Sequence, residues 1–258
     1  MKDRNPWFLR QPTDGPDVKG RVFVVPYAGC GASMYREWPT ERSGVEFIRL
    51  QPPGRESRFR EPVIQSYAEL SEQIHRALLP YRNIPTGIFG HCSSAYSAYE
   101  TILRFREEFP DDVPPRLFVS SAVAPQDSPY GKFLTMDRAQ LVQEMQVLML
   151  ELGGRPNPGF LDIAVDILQA DLQCNINYSV SEPTRLADRI TTFGWSEDDA
   201  VEPARMAGWD RCGSLDSHLL PGGHYEFTHA PADLLDIMVS CLLSSERPTK
   251  VAGGAGSI

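Results

Sequence analysis

Apolar positions along the chain fall into two rhythms. Short β-branched and aromatic runs recur as "RVFVVP" (21–26), "VEFIRLQPPG" (45–54), "GIFG" (87–90), "RLFVSSA" (116–122) and "RITTFG" (189–194). Their length, composition and turn-forming flanks predict buried strands. Between them, "YAELSEQIHRALLPY" (67–81) puts Leu70, Ile74, Ala77 and Leu78 on one helical face, and "SAYSAYETILRFREEFP" (94–110) reads as a helix ended by Pro110. Strands alternating with helices predict parallel βαβ units and an α/β fold with a doubly wound, mostly parallel sheet. The middle breaks the alternation. "MDRAQLVQEMQVLMLELGG" (136–154) and "FLDIAVDILQADLQCNINY" (160–178) are two helical patterns with no strand between them. They predict a helical lid over 126–180 inserted into a core made of 1–125 and 181–245. The small, polar tail 246–258 is predicted to be disordered.

Composition narrows the classes of function. The chain has 258 residues, 41% hydrophobic and 23% charged, which suits one ordinary globular α/β domain. No apolar run approaches the roughly 20 residues that cross a bilayer, and the polar start lacks the apolar core of a secretory signal. Five scattered cysteines without a C-x-x-C pair argue against a disulfide framework and against a zinc site. A cytoplasmic protein without a membrane partner is predicted. A net charge of −9 counts against a nucleic-acid partner, which requires a basic face. "GRESRFREP" brings Arg55, Arg58 and Arg60 close together as a candidate basic patch. Ordinary solvated arginines are the alternative that exposure statistics favour.

The candidate chemistry centres on "GIFGHCSSAYSAYE" (87–100), where a strand meets a helix at Cys92. This is the layout of a nucleophile elbow, spelled with cysteine at the serine position and Ser94 at the last glycine position. A helix N-terminus favours a thiolate, and Gly90 permits the tight backbone. The base should be a late loop histidine. His224 follows Pro221-Gly222-Gly223 and precedes the last helical pattern, with His229 as runner-up. His75 lies in a helical pattern, His218 in a strand-like one, and His91, beside Cys92, is predicted to point away. The orienting acid should follow a strand, where Glu197, Asp198 and Asp199 compete. Oxyanion donors would be the Ser93 N–H and one from "PYAGCGAS", whose Ala28, Gly29 and Gly31 allow close backbone approach. That loop lacks the G-x-G-x-x-G spacing of a dinucleotide site.

With these motifs in place, the chain resembles the type II (external) thioesterases of nonribosomal peptide and polyketide assembly. "PWFLR", "PYAGCGASMYREW", "QPPGRESRFREP", "ELGGRP", "LQADLQCNINY" and "GGHYEF" carry the likeness from end to end. The resemblance implies an α/β-hydrolase fold with a helical lid. It also implies removal of acyl or aminoacyl groups from the phosphopantetheine thiol of carrier proteins. Matched position by position, it makes Cys92 the nucleophile and His224 the base. Asp198 becomes the acid, in a G-x-x-x-D-x-x-V pattern from Gly194 to Val201, and Ala28 and Ser93 become the oxyanion residues. The partner implied is a phosphopantetheinylated acyl or peptidyl carrier protein, met by a monomer with no cofactor of its own. Three departures cluster at the site: Cys92 for serine, Ser94 for glycine, and Cys30 for a second glycine. A cysteine acyl-enzyme keeps a good leaving group. That favours acyl or aminoacyl transfer between carriers, which is the alternative, whereas the resemblance to the family implies hydrolysis, which is the outcome expected. A small-ester hydrolase resembling dienelactone hydrolases and a non-catalytic carrier-binding protein are two further classes.

Overall fold

The computed structural model describes residues 4–244, so the tail 246–258 lies outside the described residues. Seven strands form one sheet in the order β2-β3-β1-β4-β5-β6-β7. They are β1 (Gly20–Val24), β2 (Glu41–Arg42), β3 (Val45–Arg49), β4 (Thr86–His91), β5 (Arg116–Ser120), β6 (Ile190–Trp195) and β7 (Leu215–Leu220). Neighbours run parallel except at the β2–β3 edge. The two-residue β2 is too short to leave a pattern in the sequence.

Strand alternation sorts the core into two layers. Phe23, Ile48, Ile88, Leu117 and Val119 face a layer that includes Ile74 and Leu78 of α1 (Tyr67–Leu78) and Ile102 and Phe105 of α2 (Ser94–Glu108). Val22, Val24, Phe47, Phe89, Phe118 and Phe193 face the other side, with Leu234, Leu235 and Met238 of α5 (Ala232–Leu243). Full burial of side chains of this size contributes about 1.5–3 kcal/mol each, which fixes the strand register against a one-residue slip.

Two helices separate β5 from β6: α3 (Arg138–Glu151) and α4 (Pro158–Ile176). Asp137 and Gln140 form a reciprocal capping box at the start of α3, so that helix begins slightly later than its apolar pattern. Gly153, at φ 65, turns the chain out of α3, and Asn157 with Pro158 starts α4. Leu141, Met145 and Leu148 of α3 and Leu161, Val165 and Leu168 of α4 join the second core layer, next to Tyr27 and Ala28. A 3₁₀ stretch at Pro203–Arg211 was not visible in the sequence pattern. It is held by Trp209, whose Nε1–H donates to the Ala122 carbonyl at 2.8 Å. No helix among the described residues is long and apolar enough to cross a membrane.

Candidate active site

Three strand ends supply the site. Cys92 follows β4 directly and has φ 54, a left-handed conformation that costs a side-chain-bearing residue energy and that the tight turn into α2 imposes here. Its N–H donates to Ser120 O at 2.8 Å, which continues the β4–β5 ladder into the turn. Gly90 is obligatory, because a Cβ there would lie 2.5 Å from the Ala95 Cα of the nucleophile helix. The departure at Ser94 has a local explanation. Its hydroxyl accepts the His91 N–H at 2.9 Å and donates to the His91 carbonyl at 2.8 Å, stitching the elbow with two bonds that a glycine could not make.

His224 lies past the end of β7, nearly fully buried, and its Nδ1 sits 3.0 Å from both carboxylate oxygens of Asp198. Asp198, past the end of β6, has a side chain with no exposure at all. It accepts the Ser121 hydroxyl at 2.5 Å and the N–H groups of Ala200 and Val201 at 2.8 and 2.9 Å. Burial opposes its charge, but His224, Ser121 and the Val201 N–H hold its carboxyl well below the usual range. The ionised carboxylate is acceptor-only, so His224 Nδ1 carries a proton. Burial also opposes the imidazolium of His224, yet hydrogen bonds to Asp198 and Cys92 outweigh it and push the pKa up to about 9. Of the three acidic candidates, only Asp198 turns inward; Glu197 and Asp199 are exposed. His229 pairs with Glu37 on the surface, His218 with Asp216, and His75 with Glu108, all away from Cys92.

Two expectations are corrected. His91 does not point out of the site. It is fully buried, with Nε2 3.3 Å from Nε2 of His224 and Nδ1 2.9 Å from the Ser120 hydroxyl. It stacks on Phe227 at 3.8 Å between ring centroids, and burial together with the neighbouring His224 drives its pKa well below 6.5. A neutral imidazole therefore lies beside the Nε2 of His224, the ring nitrogen not engaged by Asp198. The other correction concerns the candidate basic patch. Arg55 and Arg58 are neither a patch nor solvated, being 6% and 8% exposed. Arg58 pairs with Glu61 and lies 5.0 Å from the Trp7 ring centroid, and Arg55 pairs with Asp171 of α4.

Ala28 and Ser93, both buried, line one cavity of about 30 Å³ together with Tyr67, Ser94, Arg55 and Asp171. A space of that size admits a single water or one small polar group. Cys30 packs against the same core layer as Cys92, and burial, opposed by Arg55, pushes its thiol up to about 12. That leaves it a poor nucleophile beside Cys92. Among the described residues no group of three His, Cys, Asp or Glu side chains is placed to hold a metal ion.

A model of the thioesterase domain family matches residues 20–239. The chain belongs to that family. The linear gramicidin dehydrogenase LgrE of Brevibacillus parabrevis is 27% identical over 252 residues, covering 93% of each chain. The gramicidin S biosynthesis protein GrsT of Aneurinibacillus migulanus is 27% identical, covering 91% of this chain and 93% of its own. Among solved structures, the thioesterase RedJ from the prodiginine pathway of Streptomyces coelicolor superposes with a TM-score of 0.75. It is 26% identical and covers 93% of this chain and 94% of its own. The α/β-hydrolase architecture inferred from the sequence is therefore that of the thioesterase family.

Sequence reasoning missed Ser121, Ser120 and Trp195, whose Nε1–H donates to the Ser120 hydroxyl at 2.9 Å. Ser120 and Ser121 stand at a strand C-terminus, the one signal that could have singled them out. Asp171 sits within a helical pattern and gave no such signal.

Proposed function

We propose that this thioesterase-family protein cleaves acyl or aminoacyl thioesters held on the phosphopantetheine arm of a carrier protein. The setting would be nonribosomal peptide or polyketide assembly, as the names of GrsT and RedJ suggest. The observation that carries this reading is the placement of Cys92 on a left-handed elbow past β4, with His224 past β7 holding its Nδ1 3.0 Å from both carboxylate oxygens of the buried Asp198 past β6. Helices α3 and α4 would form the lid.

The Cys92 thiolate attacks the thioester carbonyl, and the oxyanion forms against the N–H groups of Ala28 and Ser93. Collapse of the tetrahedral species breaks the bond to the phosphopantetheine sulfur, which leaves with the proton from His224 Nε2. Asp198 holds the ring orientation throughout. A water then attacks the Cys92 acyl thioester, giving its proton to His224. The free acid departs and the pair of Cys92 and protonated His224 is restored.

Cysteine at position 92 favours a second reading, in which another carrier's thiol replaces water in the last step. One experiment separates the two. Acyl-loaded carrier protein is mixed with the enzyme and an unloaded second carrier, and free acid and both carriers are followed by mass spectrometry. Hydrolysis predicts free acid, whether or not the second carrier is present. Acyl group arriving intact on the second carrier, with negligible free acid, rejects hydrolysis in favour of transfer. Turnover of small esters with no response to carrier proteins rejects both.

A further inference from the structure

The loop after β1, which carries Ala28, is held from outside its own sequence. Asp171 of α4 accepts the Gly29 N–H at 2.8 Å. The same carboxylate takes Arg55 in a bidentate pair at 2.8 and 2.9 Å, and Arg55 Nη1 also donates to the Cys30 carbonyl at 3.0 Å. Two further side chains hold the same loop: Gln51 accepts the Ala32 N–H and Glu56 accepts the Ser33 N–H. Gln51 Nε2 in turn donates to the Arg55 carbonyl. Gly29 has φ 78, and a Cβ there would lie 3.1 Å from Leu168 Cβ and 3.3 Å from Met145 Sδ. The helical pair α3–α4 thus rests directly on the backbone of the loop that carries Ala28.

We propose that Asp171 and Arg55 are positioning residues that make the oxyanion hole conditional on the lid being closed. The proposal rests on the thioesterase reading above, with Ala28 as an oxyanion donor. Fixing the Gly29 N–H holds the Ala28–Gly29 peptide plane and fixing the Cys30 carbonyl holds the Cys30–Gly31 plane, while the Cys30 N–H between them donates at 3.0 Å to the Tyr27 carbonyl, in the plane that carries the Ala28 N–H. Lifting α4 withdraws the acceptor from Gly29 and strips the partner from a guanidinium whose side chain is only 7% exposed. An unpaired buried charge is costly, so loop and lid move as one unit. Thioester attack then proceeds only with α4 seated, when water access to the site is also restricted.

The test compares two reagents for Cys92. An acyl-N-acetylcysteamine thioester needs the oxyanion hole; iodoacetamide needs only the nucleophile and its base. Asp171→Asn keeps shape but loses the charge that pairs with Arg55. It should slow acylation of Cys92 by about 10- to 100-fold, below the loss seen when an oxyanion donor is deleted outright, while alkylation by iodoacetamide stays within about twofold of wild type. Arg138→Ala, which loosens an exposed α3–α4 pairing with Asp162 and Asp166, should change neither rate. Equal acylation rates in wild type and Asp171→Asn overturn the positioning role. So does a parallel loss with both reagents, because a merely structural defect would damage the nucleophile as well. If Asp171→Asn does not fold, Arg55→Lys decides by the same two rates. A wild type that is alkylated but never acylated rejects the thioesterase reading, and the positioning role with it.

Discussion

The elbow at Cys92 and the loop after β1 both contribute to one cavity, through Ser93 and Ala28, and they are built in opposite ways. The elbow is tied to itself over three residues by Ser94, and Cys92, Asp198 and His224 stand past the ends of β4, β6 and β7. The loop after β1 is instead held by residues far away in the chain, Asp171 lying 142 positions from Gly29 and 116 from Arg55. One corner is preorganised by the core, and the other depends on how the inserted helices sit. Damage to the first should remove chemistry for every substrate. Damage to the second should depend on whether the reagent needs an oxyanion.

The sharpest way to break this contrast is Asp198→Asn. It removes the group that orients His224 and sustains its charge, so thioester turnover should fall by about 10²- to 10⁴-fold. In the same variant the His224 titration, followed by NMR, should drop from about 9 toward the ordinary 6.5. A titration unmoved by the substitution would detach Asp198 from the relay. Asp171→Asn, by contrast, should leave that titration in place.

The pH profile is the next discriminator. His224 must deliver a proton to the leaving sulfur, so kcat/KM for thioesters should decline as pH rises through about 9. A profile that climbs steadily past pH 10 would contradict this. The same raised pKa stabilises the fold. That contribution is fully present below the ordinary histidine pKa of 6.5 and is lost as pH rises through about 9.

A smaller effect is expected at His91. Replacing it with Phe keeps the stack on Phe227 but removes the second partner of His224 Nε2. Turnover should fall by about three- to tenfold, with a shifted alkaline limb in the pH profile. An unchanged limb would reduce His91 to a packing residue. Ser94→Gly, the mildest change, forfeits two hydrogen bonds within the elbow and should lower stability by about 1–3 kcal/mol in thermal or urea unfolding. Activity should stay within about threefold. A stability equal to wild type would show that the elbow does not need the Ser94 bridge.

The same contrast explains what the sequence revealed. Cys92 and Asp198 each stand just past a strand that is visible as an apolar run, and His224 follows a strand-like segment and a Pro-Gly-Gly turn, so local pattern located them and motif resemblance chose among their neighbours. His91 was misjudged because its direction depends on Phe227 and His224, more than 130 residues away in the chain. Arg55 and Asp171 look like an exposed loop cation and a helix-surface carboxylate until the fold places them in contact. Charge type alone carried no sign of their burial. The short β2 and the 3₁₀ stretch at Pro203–Arg211 escaped for a plainer reason, since neither is long enough or apolar enough to impose a period.

Every step of the proposed reaction depends on covalent chemistry at Cys92. Intact-protein mass spectrometry, followed over time after mixing with acyl-loaded carrier protein, measures it directly. The prediction is a transient mass increase equal to the acyl group, mapping to the peptide that contains Cys92, absent in Cys92→Ala, and decaying as free acid appears. An adduct that maps to another cysteine or persists in Cys92→Ala, or free acid released by Cys92→Ala at the wild-type rate, would contradict it.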